Sequence, residues 1–261
     1  MATAAVDISN SKATVTVRLA TGKDVSAIAV LARELADFEK LAHICEVTDV
    51  KLLESSLWKR PAFQGPTVLM LEVAAPQSED EEEEEQQRDQ QGVVVQEAFE
   101  EVVRELNLTR PLKEDPDTDS CFRSPADERR IVVGFALFFP NYSSFLATGG
   151  FWIDALYVRE AYRGRGLGTI LLKTVAKQAV RLGAGRVEWC ALDWNVKAIK
   201  FYQALGAAVL PECRLCRLTV SNLLFTPSST SHLITKQFLQ QNSSSSDMYG
   251  ASSTNSTLAS S

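Results

Sequence analysis

Between a strand-length apolar run, Phe151 to Val158, and a helix-patterned run, Leu167 to Leu182, the chain reads Tyr162-Arg163-Gly164-Arg165-Gly166-Leu167-Gly168-Thr169. Glycines at such a turn let the backbone reverse tightly and approach a ligand, and the helix that follows opens with N–H groups that have no intrahelical acceptor. Those groups and the helix dipole favour an anion such as a pyrophosphate, and Arg163 can add a charge-assisted contact. Two nucleotide cradles are excluded. A P-loop needs Gly-Lys-Ser/Thr, and the dinucleotide fingerprint needs Gly-x-Gly-x-x-Gly, whereas these glycines stand at every second position. A strand-to-helix turn that binds nothing would use the same residues.

The regular pattern continues with a strand at Arg186 to Asp193 and a helix at Val196 to Leu205, the two helices being stopped by Gly183 and Gly206. Upstream, a strand is expected from about Val15 and a helix capped by Asp24 through Ile28, Leu31, Leu35 and Phe38. A second helix is expected at Val50 to Trp58, and strands at Thr67 to Val73, Ile131 to Phe139 and Arg214 to Val220. The expected fold is α/β (α+β), a central mixed sheet flanked by helices. Residues 14–225 form its domain, between a disordered tail at 1–13 and a disordered Ser-rich tail at 226–261. An insertion at 76–130, acidic and largely disordered, interrupts it, with a short amphipathic helix at Val94 to Leu106 and loop at Thr109 to Arg130.

The formal charge is -6, but seven acids stand together from Glu79 to Glu85, which leaves the rest of the chain near neutral. No broad basic surface follows, so nucleic acid is not expected as a ligand. The apolar runs are strand-length, which argues against a membrane span. The odd number of cysteines and the absence of a charged-then-apolar leader lead us to expect a reducing compartment, the cytoplasm, with nuclear access permitted. Cys213 and Cys216 have metal-ligand spacing but no second pair, and no metal is expected.

The segment Arg163-Gly164-Arg165-Gly166-Leu167-Gly168 resembles the acetyl-CoA-binding signature of the GNAT acetyltransferase superfamily, Arg/Gln-x-x-Gly-x-Gly/Ala. Downstream, Asp193-Trp194-Asn195, Ala198, Phe201-Tyr202 and Gly206 resemble that superfamily's second cofactor segment, Asn-x-x-Ala-x-x-Phe-Tyr-x-x-x-Gly. The likeness narrows to diamine (spermidine/spermine) acetyltransferases, and most of all to plant relatives that acetylate ornithine and small diamines. It is carried by Phe138-Phe139-Pro140-Asn141-Tyr142, Gly185-Arg186-Val187-Glu188-Trp189 and Arg214-Leu215-Cys216-Arg217-Leu218.

The resemblance implies a GNAT-type fold, acetyl-CoA as co-substrate, a small amine as acceptor and a homodimer. It places the pantetheine arm on Leu156, Tyr157 and Val158, and the rest of the cofactor on Arg163, Gly164, Arg165, Gly166, Leu167, Gly168, Thr169, Asn195, Ala198 and Tyr202. Tyr202 falls at the family's catalytic tyrosine, as general acid, seven residues after Asn195 and so on the same helix face. Where the polyamine enzymes carry Glu-Asp, this chain has Asp154-Ala155, a shorter first acid and no second; Asp154 is the candidate base, working through a water. Phe38, Glu39, Asp154, Trp189, Cys190 and Glu212 correspond to the acceptor pocket, with Glu39 the best second acid. His43 and His232 lie outside the motifs. Two other readings use the same residues: transfer to a protein lysine or N-terminus, and an acyl-CoA-binding protein whose catalysis has weakened at Asp154-Ala155.

Overall fold

The computed structural model describes residues 12–74, 99–107 and 120–217; the acidic run, residues 94–98, residues 1–11 and the tail from 218 onward lie outside these. The chain divides into two compact units, Met1–Val209 and Leu210–Ser261. In the first, six strands make one sheet in the order β3-β1-β2-β4-β5-β6, namely β1 Lys12–Leu19, β2 Thr67–Ala74, β3 Val102–Asn107, β4 Ile131–Ser143, β5 Thr148–Val158 and β6 Val187–Trp189. β5 and β6 run parallel and all other neighbours antiparallel, so the sheet is mixed, as expected. Successive residues of β2 from Thr67 to Val73, and of β4 from Ile131 to Ala136, are all buried, which means that both faces of the central sheet are covered.

Among the described residues four helices accompany the sheet: α1 Val25–Phe38, α2 Asp49–Glu54, α3 Leu167–Arg181 and α4 Val196–Ala204. In α1 the apolar spacing buries Ile28 and Leu31, whereas Phe38 at its end is exposed. In α3, Leu167, Leu171, Val175 and Ala179 recur every four residues and form one buried stripe. α2 is shorter than the expected Val50–Trp58. It is capped by Thr48, whose hydroxyl accepts from the Lys51 N–H, and a 3₁₀ turn at Ser56–Trp58 follows it.

Asp24 stands at the N-cap of α1 but makes no capping bond to it; its carboxylate is held elsewhere. Arg18 donates to Asp24 at 2.6 and 2.9 Å, to Glu72 Oε1 at 2.7 Å and to Ser124 Oγ at 3.3 Å. Burial opposes charge on this guanidinium, but the two carboxylates outweigh it and hold the proton more firmly than usual. The network joins β1, β2, the start of α1 and the segment before β4.

Several expectations are corrected. Residues 102–107 are not helix but β3, an edge strand paired with β1 from Lys12↔Asn107 to Val17↔Val102. Val102 and Leu106 face the core while Val103 and Glu105 are exposed. Residues 120–130 of the insertion are ordered, with Phe122 buried and Arg123 bridged to Ile131. β6 covers only Val187–Trp189 of the expected Arg186–Asp193, and β1 starts at Lys12, inside the expected tail. In the second unit, residues 213–217 form no strand and residues 218–220 lie outside the description.

Candidate active site

β5 is the element that builds the site. Its pairing with β6 is limited to Phe151↔Val187, Trp152↔Glu188 and Ile153↔Trp189, so from Asp154 to Val158 that edge has no strand partner among the described residues. Backbone groups on such an edge seek a partner, and an extended amide-bearing chain is one that fits. On its other side the register with β4 passes from Leu137↔Ala155 to Phe138↔Ile153, which leaves Asp154 as the extra residue of a β-bulge. A bulge re-aims the side chain that it carries, here into the opening between β5 and β6.

Around that opening lie Leu35, Glu39, Ile153, Asp154, Ala155, Leu156, Trp189, Cys190 and Tyr202, lining a cavity of about 40 Å³. That is room for roughly two or three waters. Burial first, and the neighbouring Asp154 carboxylate second, push the Glu39 carboxyl above the ordinary range. Burial first, and Glu39 second, likewise push up the Tyr202 phenol, so it stays protonated through neutral pH. The Tyr202 ring meets Trp189 edge-on, with centroids 5.1 Å apart. The cleft therefore gathers two acids, a protonated phenol and an aromatic wall.

The glycine turn adjoins it. Gly164 and Gly166 have φ of 76° and 81°, left-handed values that side chains resist, and a Cβ added at either would meet no atom within 4 Å. Gly166 is the N-cap of α3 and offers no side-chain oxygen, so the helix opens with N–H groups that no side chain caps, as an anion cradle requires. Leu167 buries its side chain and contributes only backbone. A Cβ at Gly168 would stand 3.6 Å from Phe201 of α4, an ordinary contact. The two arginines face inward. Arg163 Nε donates to Val158 O at 2.7 Å, with its guanidinium over the rings of Phe38 and Tyr157, and Arg165 donates to Ala161 O at 2.8 Å and Arg163 O at 3.2 Å. Both side chains thus stitch the turn to β5 and to itself, and the backbone supplies the outward-facing donors. The Tyr157 phenol is pushed up to about 12, by burial first and by Glu34 next.

The structure brings together Glu39, Asp154, Leu156, Trp189, Cys190 and Tyr202 from the expected site residues. Phe38 does not line the cleft; its ring packs 5.7 Å from Trp194. Asn195 caps α4, its side chain accepting from the Ala198 N–H at 3.3 Å. Thr169 follows in the first turn of α3. Glu212 is exposed in the second unit, as are Cys213 and Cys216; among the described residues no three His, Cys, Asp or Glu side chains gather as a metal site. No helix among them is long and apolar enough to cross a membrane. Leu35 and Ile153 were not foreseen. Leu35 stands one helical turn before Glu39, a spacing that marks it as sharing that face.

Comparison with known proteins agrees with this geometry. The profile of the Acetyltransferase (GNAT) family matches residues 75–207. The chain is 42% identical over 203 residues to L-ornithine N5-acetyltransferase NATA1 of Arabidopsis thaliana, an alignment covering 78% of this chain and 83% of that one. It is 31% identical to tyramine N-feruloyltransferase 4/11 of Nicotiana tabacum over 79% of this chain and 88% of the relative. Thialysine N-epsilon-acetyltransferase of Mus musculus is 26% identical over 75% of this chain and 85% of its own. With the free edge of β5, the bare N-terminus of α3 and a cleft of acids beside them, the chain belongs to the GNAT acetyltransferase family.

Proposed function

We propose that this enzyme transfers an acetyl group to a primary amine of a small molecule with a second cationic centre, such as a diamine, a polyamine or an ornithine-like amino acid. The observation that carries the reading is the convergence of Glu39 and Asp154 on one small cleft that also holds Tyr202. Burial first and the like charge of Asp154 second raise the Glu39 carboxyl, and a dication can pair with both acids where a single ammonium pairs with one. The names of the ornithine and thialysine relatives support the same acceptor class.

Acetyl-CoA fits the residues present: the open β5 edge at Leu156, Tyr157 and Val158 would take the pantetheine amides, and the N–H groups from Gly164 to Thr169 the pyrophosphate. It supplies an acetyl group activated as a thioester. The protein's own part is proton management. An aliphatic amine has a pKa of about 10.4 and arrives as ammonium, so it must lose a proton before it can attack. The Asp154 carboxylate takes that proton through a water in the cleft, Glu39 holds the second cation, and Tyr202 Oη carries the proton that the leaving sulfur receives. We also propose a homodimer, which the family resemblance supports, and a cytoplasmic location, which the odd number of scattered cysteines supports.

Tyr202→Phe and Asp154→Asn test the assignment. Each should lower kcat by about a hundredfold, the lower end of what a positioned acid or base contributes, and leave acetyl-CoA affinity within about twofold by calorimetry. Unchanged kcat in either variant removes that residue from the mechanism.

A further inference from the structure

Phe38 has no polar atom and does not line the cleft, yet both segments that resemble cofactor-binding ones grip it. On one side the Arg163 guanidinium lies 4.6 Å over its ring. On the other the Trp194 ring stands 5.7 Å away, tilted by 56°. Phe38 is the last residue of α1, and Glu39 follows as its C-cap, with a backbone N–H that donates to Leu35 O at 2.9 Å. Lys40 then turns left-handed, at φ 62°, and lays its ammonium 5.1 Å from the Trp194 centroid. A row of Arg163, Phe38, Trp194 and Lys40 therefore brackets Glu39 at the helix end. Arg163 is itself fixed by Val158 O and by the Tyr157 ring.

Helix ends fray, and among the described residues no hydrogen bond or ion pair restrains the Glu39 carboxylate directly. Its place depends on the backbone to which it is attached, and that backbone is pinned through the neighbouring ring. We propose that Phe38 and Arg163 are positioning residues: the two cofactor segments clamp the Phe38 ring, and the clamp sets where Glu39 stands for the second cation of the acceptor. The inference rests on the reading above that Glu39 pairs with that cation. It makes Arg163, which on sequence grounds belongs to the phosphate cradle, a determinant of acceptor choice.

The test compares kcat/KM for 1,3-diaminopropane with that for propylamine at saturating acetyl-CoA, alongside calorimetric acetyl-CoA affinity. In Glu39→Gln the preference for the diamine should fall by about fivefold or more. Phe38→Leu and Arg163→Met should lose a comparable factor through the KM for the diamine, of the size that one exposed cation–π contact can supply. Phe38→Tyr, which keeps the ring, should retain the preference, and Phe38→Leu should bind acetyl-CoA as before. If Glu39→Gln loses the preference while Phe38→Leu and Arg163→Met keep it, the clamp is refuted and the role of Glu39 stands. If Glu39→Gln also keeps it, the acceptor role of Glu39 falls, and the clamp with it.

Discussion

Burial and Asp154 act on Glu39 in a way that can be read without substrate. Because its carboxyl is raised in the folded chain, the native state binds a proton that the unfolded state has already released, so stability falls as pH rises through the raised value. Glu39→Gln removes that cost. Its melting temperature should exceed the parent's at neutral pH, and the difference should vanish below the ordinary carboxylate range; equal melting temperatures at neutral pH would contradict the placement of Glu39 in the cleft. At this scale the sequence was informative where a motif fixes a residue and silent where packing does. Tyr202 and Asp154 were legible from the resemblance, but the bulge that aims Asp154 depends on the register of β4 against β5, which no local pattern reveals. The inward turn of Arg163 and Arg165 was equally hidden, since a guanidinium beside a glycine turn looks the same whether it faces phosphate or the carbonyls behind it.

Among elements, the alternating strands and helices after Phe151 announced themselves through glycine stops and apolar spacing. β3 did not, because Val102-Val103-Arg104-Glu105-Leu106 suits either period, and the open edge of β1 decides in favour of a strand. The length of β6 was hidden for a related reason: its apolar run continues past Trp189, but its pairing with β5 stops at Ile153↔Trp189. Two predictions belong here. Gly166→Val places a β-branched residue at φ 81° in the turn and should weaken acetyl-CoA binding by more than about tenfold, and unchanged affinity would refute the cradle. Arg18→Met leaves Asp24 and Glu72 buried without the cation they share, with Arg130 still 3.9 Å from Glu72 Oε2, and should cost about 3 kcal/mol in urea unfolding. A loss under about 1 kcal/mol would mean that water reaches the pair.

For the whole molecule, the sheet does two jobs with one strand. β5 is paired along its β4 side for stability, and its other side is open for a ligand, with the acids of the cleft at the point where β6 ends. Fold and cofactor chemistry are written in motifs, while the acceptor choice proposed above would rest on the reach between Glu39 and Asp154, which only the assembled cleft displays. The most direct test is CoA release by the purified enzyme with acetyl-CoA and, in turn, ornithine, putrescine, 1,3-diaminopropane, spermidine, lysine and a basic peptide. The account predicts release with at least one of the small dicationic amines at a kcat/KM at least about tenfold above the peptide's, since a cleft of this size admits a slender chain. Release with the peptide alone, or with none of them although acetyl-CoA binds, would contradict it.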